Sequence, residues 1–267
     1  MSVEKAEIVA GFPEFWPRVQ AKYPLFFSAA RELEPVLNEI FRGPAREPLH
    51  KVLRLIAKIV SNSFGAVRVL VLNGYGNDAM RVARSMFEGA VISGYLKLHP
   101  DKLDDYLDWH WIRQKRMLEY MERYAPEEFQ RLDPATVEDA KRGFDTVKHR
   151  YTDKRGKLRK SWNDRPLRQM AEEVGLGQQY RTYYDSASSV HHLDFGGLSM
   201  QAEHETFDVD VAPSEEWLDR ALIMGHCAVL RCLVNYNEAA SLGVDEELKA
   251  AGENIRCVWG RGRNAGQ

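Results

Sequence analysis

Two short stretches of the chain hold side chains whose types and spacing could do chemistry. "YYDSASSVHHLDFGG", residues 183–197, sets His191 and His192 behind a run of tyrosines and serines and then turns on Asp194, Gly196 and Gly197. "RVARSMFEG", residues 81–89, places Arg81, Arg84 and Glu88 at steps of three and four, so that they project from neighbouring turns of one helix face. Imidazoles exchange protons near neutral pH and a guanidinium can hold charge on a phosphorane. His191, His192 and Arg84 are therefore candidates for metal-independent RNA cleavage. Small helical nucleases place an arginine four to six residues before the histidine, however, and here Arg181 stands ten before His191. The alternative for the same residues is structural. Tyr180, Tyr184, Ala187 or Ser188, and His191 share a face at steps of three and four, and Tyr184 and His191 would meet Arg84 and Glu88 in a self-satisfying polar cluster if the two helices pack together.

A second enzymatic reading is metal-dependent hydrolysis. His191, His192, Asp194, Glu203, His204, Asp208 and Asp210 lie close in sequence and all could ligate zinc, manganese or iron. No HExxH pair occurs and no ExxH recurs on two helices, so His191, His192, Asp194 and His204 stand as weak candidates, with no metal and no cofactor expected. His226, beside Ile223, Cys227 and Leu230, reads as a satisfied core histidine. Cys227, Cys232 and Cys257 make no CxxC pair and read as small buried hydrophobes in a reducing compartment.

The elements that must position these residues are helices. Leu25, Phe26, Ala29, Leu33, Val36, Leu37 and Ile40 recur at three and four between Pro24 and Phe41, with Pro35 expected to kink or restart that helix. Val52, Leu55, Ile56, Ile59, Val60, Val67, Leu70 and Val71 repeat the pattern from Pro48 to Asn73. Arg54, Lys58, Asn62 and Arg68 interrupt this most apolar stretch, which reads as a core helix and not a membrane anchor. Asn77 is the expected cap of the helix carrying Arg84 and Glu88, and residues 101–124 form an aromatic, charged helix. Asp133–Pro134 starts another, residues 178–192 form the histidine helix, and Ser214 opens a last long helix ending near Gly243. No alternating run signals a sheet. The fold class is all-α, a multi-helix bundle of about eight to nine helices, read as an N-terminal helical segment (1–45), a central bundle (46–195), and an acidic loop, long helix and tail (196–267) packed on that bundle.

Two charged stretches leave the helical pattern. Residues 148–165 gather Lys148, Arg150, Lys154, Arg155, Lys157, Arg159, Lys160 and Arg165, and the stretch that follows His192 carries Glu203, Glu205, Asp208 and Asp210. Mutual neutralisation is the bland reading. The sharper one takes Lys154, Arg155, Lys157, Arg159 and Lys160 as nucleic-acid contacts. The formal net charge of −2 pulls the chain toward neither nucleic acid nor an anionic membrane, and the acid-bearing N-terminus lacks the pattern of a secretory leader. A cytoplasmic protein is expected, with a homodimer through Trp109, Trp111 and Tyr120 as a candidate assembly.

"LVLNGYGNDAMRVARSMFEGAVISGYL", then Trp162 and "YRTYYDSASSVHH", resemble the bacterial domain-of-unknown-function family 5677, over roughly residues 50–195. Its marks are an arginine four before a glutamate, here Arg84 and Glu88, and a tyrosine and serine leading to a histidine, here Tyr184, Ser188 or Ser189, and His191. The resemblance implies an all-helical bacterial protein with no established activity, and analogy to related helical families adds phage defence or RNA cleavage. Arg84, Glu88, Tyr184, His191 and His192 are the candidate site. The reading adopted is a binding or interaction module built around that cluster.

Overall fold

A computed structural model of the chain describes the backbone of residues 11–192 and 213–262 and the side chains of residues 11–189 and 213–258. The described residues are all-α: eleven helices of five residues or more and no strand, with one isolated bridge between Thr152 and Leu158. The chain divides into two compact units, Met1–Leu98 with Leu167–Gln267, and His99–Pro166.

In the first unit, α1 (Trp16–Lys22), α2 (Pro24–Arg42), α3 (Pro48–Leu72) and α4 (Gly76–Leu98) precede α8 (Leu167–Glu173), α9 (Asp185–His192), α10 (Leu218–Ala240) and α11 (Asp245–Gly262). The core is the mutual packing of α3, α4 and α10. α3 turns Leu53, Ile56, Val60, Phe64, Val67 and Val71 inward; Ile56, Val60, Val67 and Val71 belong to the expected stripe, but Leu55 and Ile59 of that stripe are exposed, as is Val69, and Leu53 and Phe64 take the inward places instead. α10 is buried over most of its circumference, and Gly225 lets Phe64 come within 2.9 Å of where a Cβ would stand. Side chains interdigitate at that crossing because nothing projects there.

Three boundaries differ from the sequence expectation. α2 runs unbroken through Pro35, because Ala29 and Leu33 before it and Val36 and Ile40 after it all bury on one face; that packing outweighs the backbone bond proline removes, a cost of about 3 kcal/mol. α4 begins at Gly76 instead of being capped by Asn77: a Cβ at Gly76 would sit 1.8 Å from the Glu216 carbonyl oxygen, so the helix starts where the chain from Gly74 runs closest to residues 213–216. The last long helix starts at Leu218, not at Ser214. The Ser214 amide donates to the Gly74 carbonyl at 3.1 Å, Glu215 pairs with Arg18 and Lys22, and Trp217 adopts a left-handed φ of 63° that no α-helix continues.

The second unit holds α5 (Leu103–Tyr124), α6 (Pro126–Gln130) and α7 (Pro134–Val147). Asp133 caps α7 as expected, accepting from the amides of Ala135 at 3.2 Å and Thr136 at 3.3 Å. Leu118 of α5 packs with Val137 and Ala140 of α7, and Tyr151 closes the far end over Trp109. Short helices such as α1 and α6 account for the count above eight to nine, since one or two turns draw no long stripe.

His226 sits fully buried between the rings of Phe26 and Phe64, its Nδ1 donating to the Leu222 carbonyl at 3.1 Å. Burial disfavours the imidazolium and pushes its pKa down to about 4, from 6.5. The folded state therefore holds the neutral ring while the unfolded chain takes up a proton below pH 6.5. The stability this confers is fully present above that pH and is lost as pH falls toward 4, about 3 kcal/mol in all. Denaturant unfolding across this window should show that slope in the wild type, and His226→Leu should lack it.

Candidate functional site

Arg84 and Glu88 stand one turn apart on α4, at the edge of a stripe in which Met80, Ala83, Phe87, Ala90 and Val91 are buried. Across from them the chain does not run as one regular helix from residue 178. A π turn, Tyr180–Tyr184, precedes α9, and the Asp185 amide donates to the Tyr180 carbonyl five residues back. This extra residue shifts the phase of the helix beyond it. Tyr180 and Tyr184 stack at 4.8 Å with planes 23° apart, and Phe87 packs against both, at 6.4 Å and 5.5 Å. Ala187, fully buried, continues the inward face, and α9 packs on α4.

This packing brings Arg84, Glu88 and Tyr184 together. Arg84 Nη2 donates to the Tyr184 hydroxyl at 2.8 Å, the hydroxyl donates to Glu88 Oε1 at 2.8 Å, and Arg84 Nη2 lies 3.2 Å from the same carboxylate oxygen. The guanidinium also lies over the Tyr184 ring, 4.8 Å from its centroid. Arg84 Nε is buried with no hydrogen-bond partner among the described residues. The Arg84 side chain is 15% exposed and that of Glu88 36%, so the triangle opens to water on its carboxylate side.

Tyr184 is nine-tenths buried, and burial is the largest cause holding its phenol well above the ordinary tyrosine range; the hydrogen bond to Glu88 and that carboxylate's charge add to it, and Arg84 opposes. The hydroxyl stays protonated, with its donor and one acceptor site both occupied. Such a group fixes geometry.

His191 and His192 close the backbone of α9, but their side chains lie outside the described residues, as do Asp194, Glu203, His204, Asp208 and Asp210. Among the described residues no group of three His, Cys, Asp or Glu is placed to hold a metal ion. Burial pushes the thiols of Cys227 and Cys232 up to about 12, leaving them protonated.

The basic stretch belongs to the second unit and is a pinned turn. Thr152 and Leu158 bridge, Asp153 N donates to the Lys157 carbonyl at 2.9 Å, and Gly156 takes the bend at a φ of +75°. The Asp153 carboxylate accepts from the amides of Arg155 and Lys157, each at 2.9 Å. Lys154, Arg155, Lys157, Arg159 and Lys160 are all exposed. Arg113, Arg116, Met117 and Tyr124 of α5, which the sequence reading passed over, line an outward groove of ≈ 580 Å³ together with Tyr120. Their steps of three and four were the available signal, hidden because the buried stripe of the same helix has the same period.

The model of a family described as of unknown function, DUF5677, matches residues 50–208, a span that holds Arg84, Glu88, Tyr184 and the basic turn. No curated protein and no solved structure matches the chain.

Tyr184→Phe should destabilise the protein by about 1–3 kcal/mol in denaturant unfolding, since it strips a donor from Glu88 and an acceptor from Arg84 in a site closed to water on one side. Glu88→Gln, at the wetter corner, should cost less; an order reversed between the two variants would contradict the geometry.

Proposed function

The chain belongs to this family of unknown function, whose model covers residues 50–208, and we propose that it acts as a binding module that takes nucleic acid on the basic turn of its second unit, while the Arg84–Tyr184–Glu88 triangle serves as an internal latch. The observation that carries the reading is the state of the turn's charges. Its own carboxylate at the bend, Asp153, is spent on backbone amides, and Lys154, Arg155, Lys157, Arg159 and Lys160 have no carboxylate partner among the described residues. By contrast Lys102, Arg150, Lys115, Lys141, Arg142 and Lys148 of the same unit are each paired with an acid. Unpaired cations on a turn with a fixed backbone suit a regularly spaced polyanion, which gains by releasing its condensed counterions.

The latch reading follows from the triangle's closure. Arg84 and Glu88 are turned on Tyr184 and on each other, and the phenol is locked in its protonated form, an arrangement that orders α9 against α4. His191 and His192 end the helix that this contact fixes.

Binding of a labelled RNA oligonucleotide, read by fluorescence anisotropy, should weaken steeply as salt rises from about 50 to 200 mM. Alanine at Lys154, Arg155, Lys157 and Lys160 together should weaken it across all sequences and flatten the salt slope by roughly 0.7–0.9 for each phosphate that is no longer neutralised. No binding at the low-salt end overturns the proposal, and recovery of shortened RNA would replace it with the RNA-cleaving alternative.

A further inference from the structure

We propose that the nucleic acid taken by the second unit is single-stranded, its bases stacking on Tyr120 and Tyr124 of α5 while its phosphates meet the adjoining arginines and the basic turn. The inference rests on the nucleic-acid reading above and adds a second surface to it.

α5 has two stripes. Trp109, Ile112 and Leu118 are buried, and Leu118 holds α7. The other stripe, Arg113, Met117, Tyr120 and Tyr124, runs at steps of four, three and four and faces out: Met117 is 53% exposed, Tyr120 64% and Tyr124 69%. The core therefore does not need these two tyrosines, and yet they form an ordered pair. Their rings stack at 6.4 Å with planes 30° apart, and the Arg123 guanidinium lies 5.1 Å from the centre of the Tyr124 ring. Arg113 and Arg116 line the same groove, and neither these two nor Arg123 is paired with a carboxylate among the described residues. The acid on the neighbouring turn, Glu119, is engaged by Lys115 at 2.8 Å.

Arg116 connects the groove to the basic turn. Its guanidinium lies over the Trp109 ring and donates to the Arg159 carbonyl at 2.6 Å, so one side chain lines the groove and holds the turn. Aromatic rings flanked by unpaired cations match the chemistry of a single strand, whose bases offer free π-faces and whose backbone is anionic. A duplex keeps its base faces stacked inside and could use the charges alone.

The test uses the full chain with two probes, an unstructured oligouridylate and a DNA duplex of equal length, in the same anisotropy format. The wild type should prefer the single strand. Tyr120→Leu with Tyr124→Leu should weaken oligouridylate binding by about ten-fold or more and leave the duplex unchanged. Phenylalanine at both positions should restore the affinity, because it keeps the rings and removes only exposed hydroxyls. Equal affinity of both probes, with the leucine variant silent and the turn's alanine variant still weakened, overturns the stacking platform and leaves the basic turn standing. Polyglutamate held as tightly as oligouridylate overturns it in favour of an acidic protein. Failure of the wild type to bind any probe overturns both readings.

Discussion

The first unit depends on the burial of α10. Ala221, Leu222, Ala228, Val229, Cys232, Leu233 and Tyr236 are all 1% exposed or less, with α3 and α4 packed against it. On the enclosed face of this helix the buried asparagines find protein partners. Asn235 donates to Ser93 Oγ of α4 at 2.9 Å, and Asn237 donates to Asp245 at 2.9 Å while its oxygen accepts from the Val244 amide at 3.3 Å. These bonds tie α10 both to α4 and to the start of α11. α4 is thereby held in place, and the position of Arg84 and Glu88 follows from it.

On that frame α9 is a smaller attachment. Its hold on α4 combines aromatic packing on Phe87 with the hydroxyl of Tyr184, whose two hydrogen-bonding partners lie about a hundred residues away in sequence. Replacing paired charges with apolar groups is often harmless, but removing one partner of a buried, hydrogen-bonded set is not, and the triangle is built so that each member satisfies another. In the second unit the arrangement differs: cations with no carboxylate partner among the described residues and two exposed tyrosines stand on a pinned turn and a helix whose inner stripe is already packed. Under the proposed function the two clusters divide architecture from recognition.

Much of this was legible in the sequence. Half of the stripe from Val52 to Val71 lies on the inner face of α3, with Ile56, Val60, Val67 and Val71 buried, the Asp133 cap is where Asp–Pro puts it, and the meeting of Arg84 and Glu88 with Tyr184 was legible only on the condition that the two helices pack together. What escaped did so for physical reasons. A π turn is one extra residue in an otherwise helical path, with no residue type that demands it, so Tyr180–Tyr184 reads as ordinary helix. Pro35 argues for a break that a long buried stripe overrides. Ser214 and its acids look like a helix start, yet they are used by Gly74, Arg18 and Lys22. The groove on α5 escaped because periodicity alone does not tell an inward stripe from an outward one. The part played by His191 and His192 rests on side chains outside the described residues.

The most direct measurement is a double-mutant cycle between Arg84→Met and Tyr184→Phe, followed by chemical denaturation and, for each variant, by oligouridylate affinity. A latch predicts that the two losses of stability couple by about 1–2 kcal/mol, as residues in one hydrogen-bonded network do, with affinity unchanged throughout. Additive stabilities accompanied by weakened affinity would mean that the triangle meets the ligand itself, and the division between architecture and recognition would be wrong.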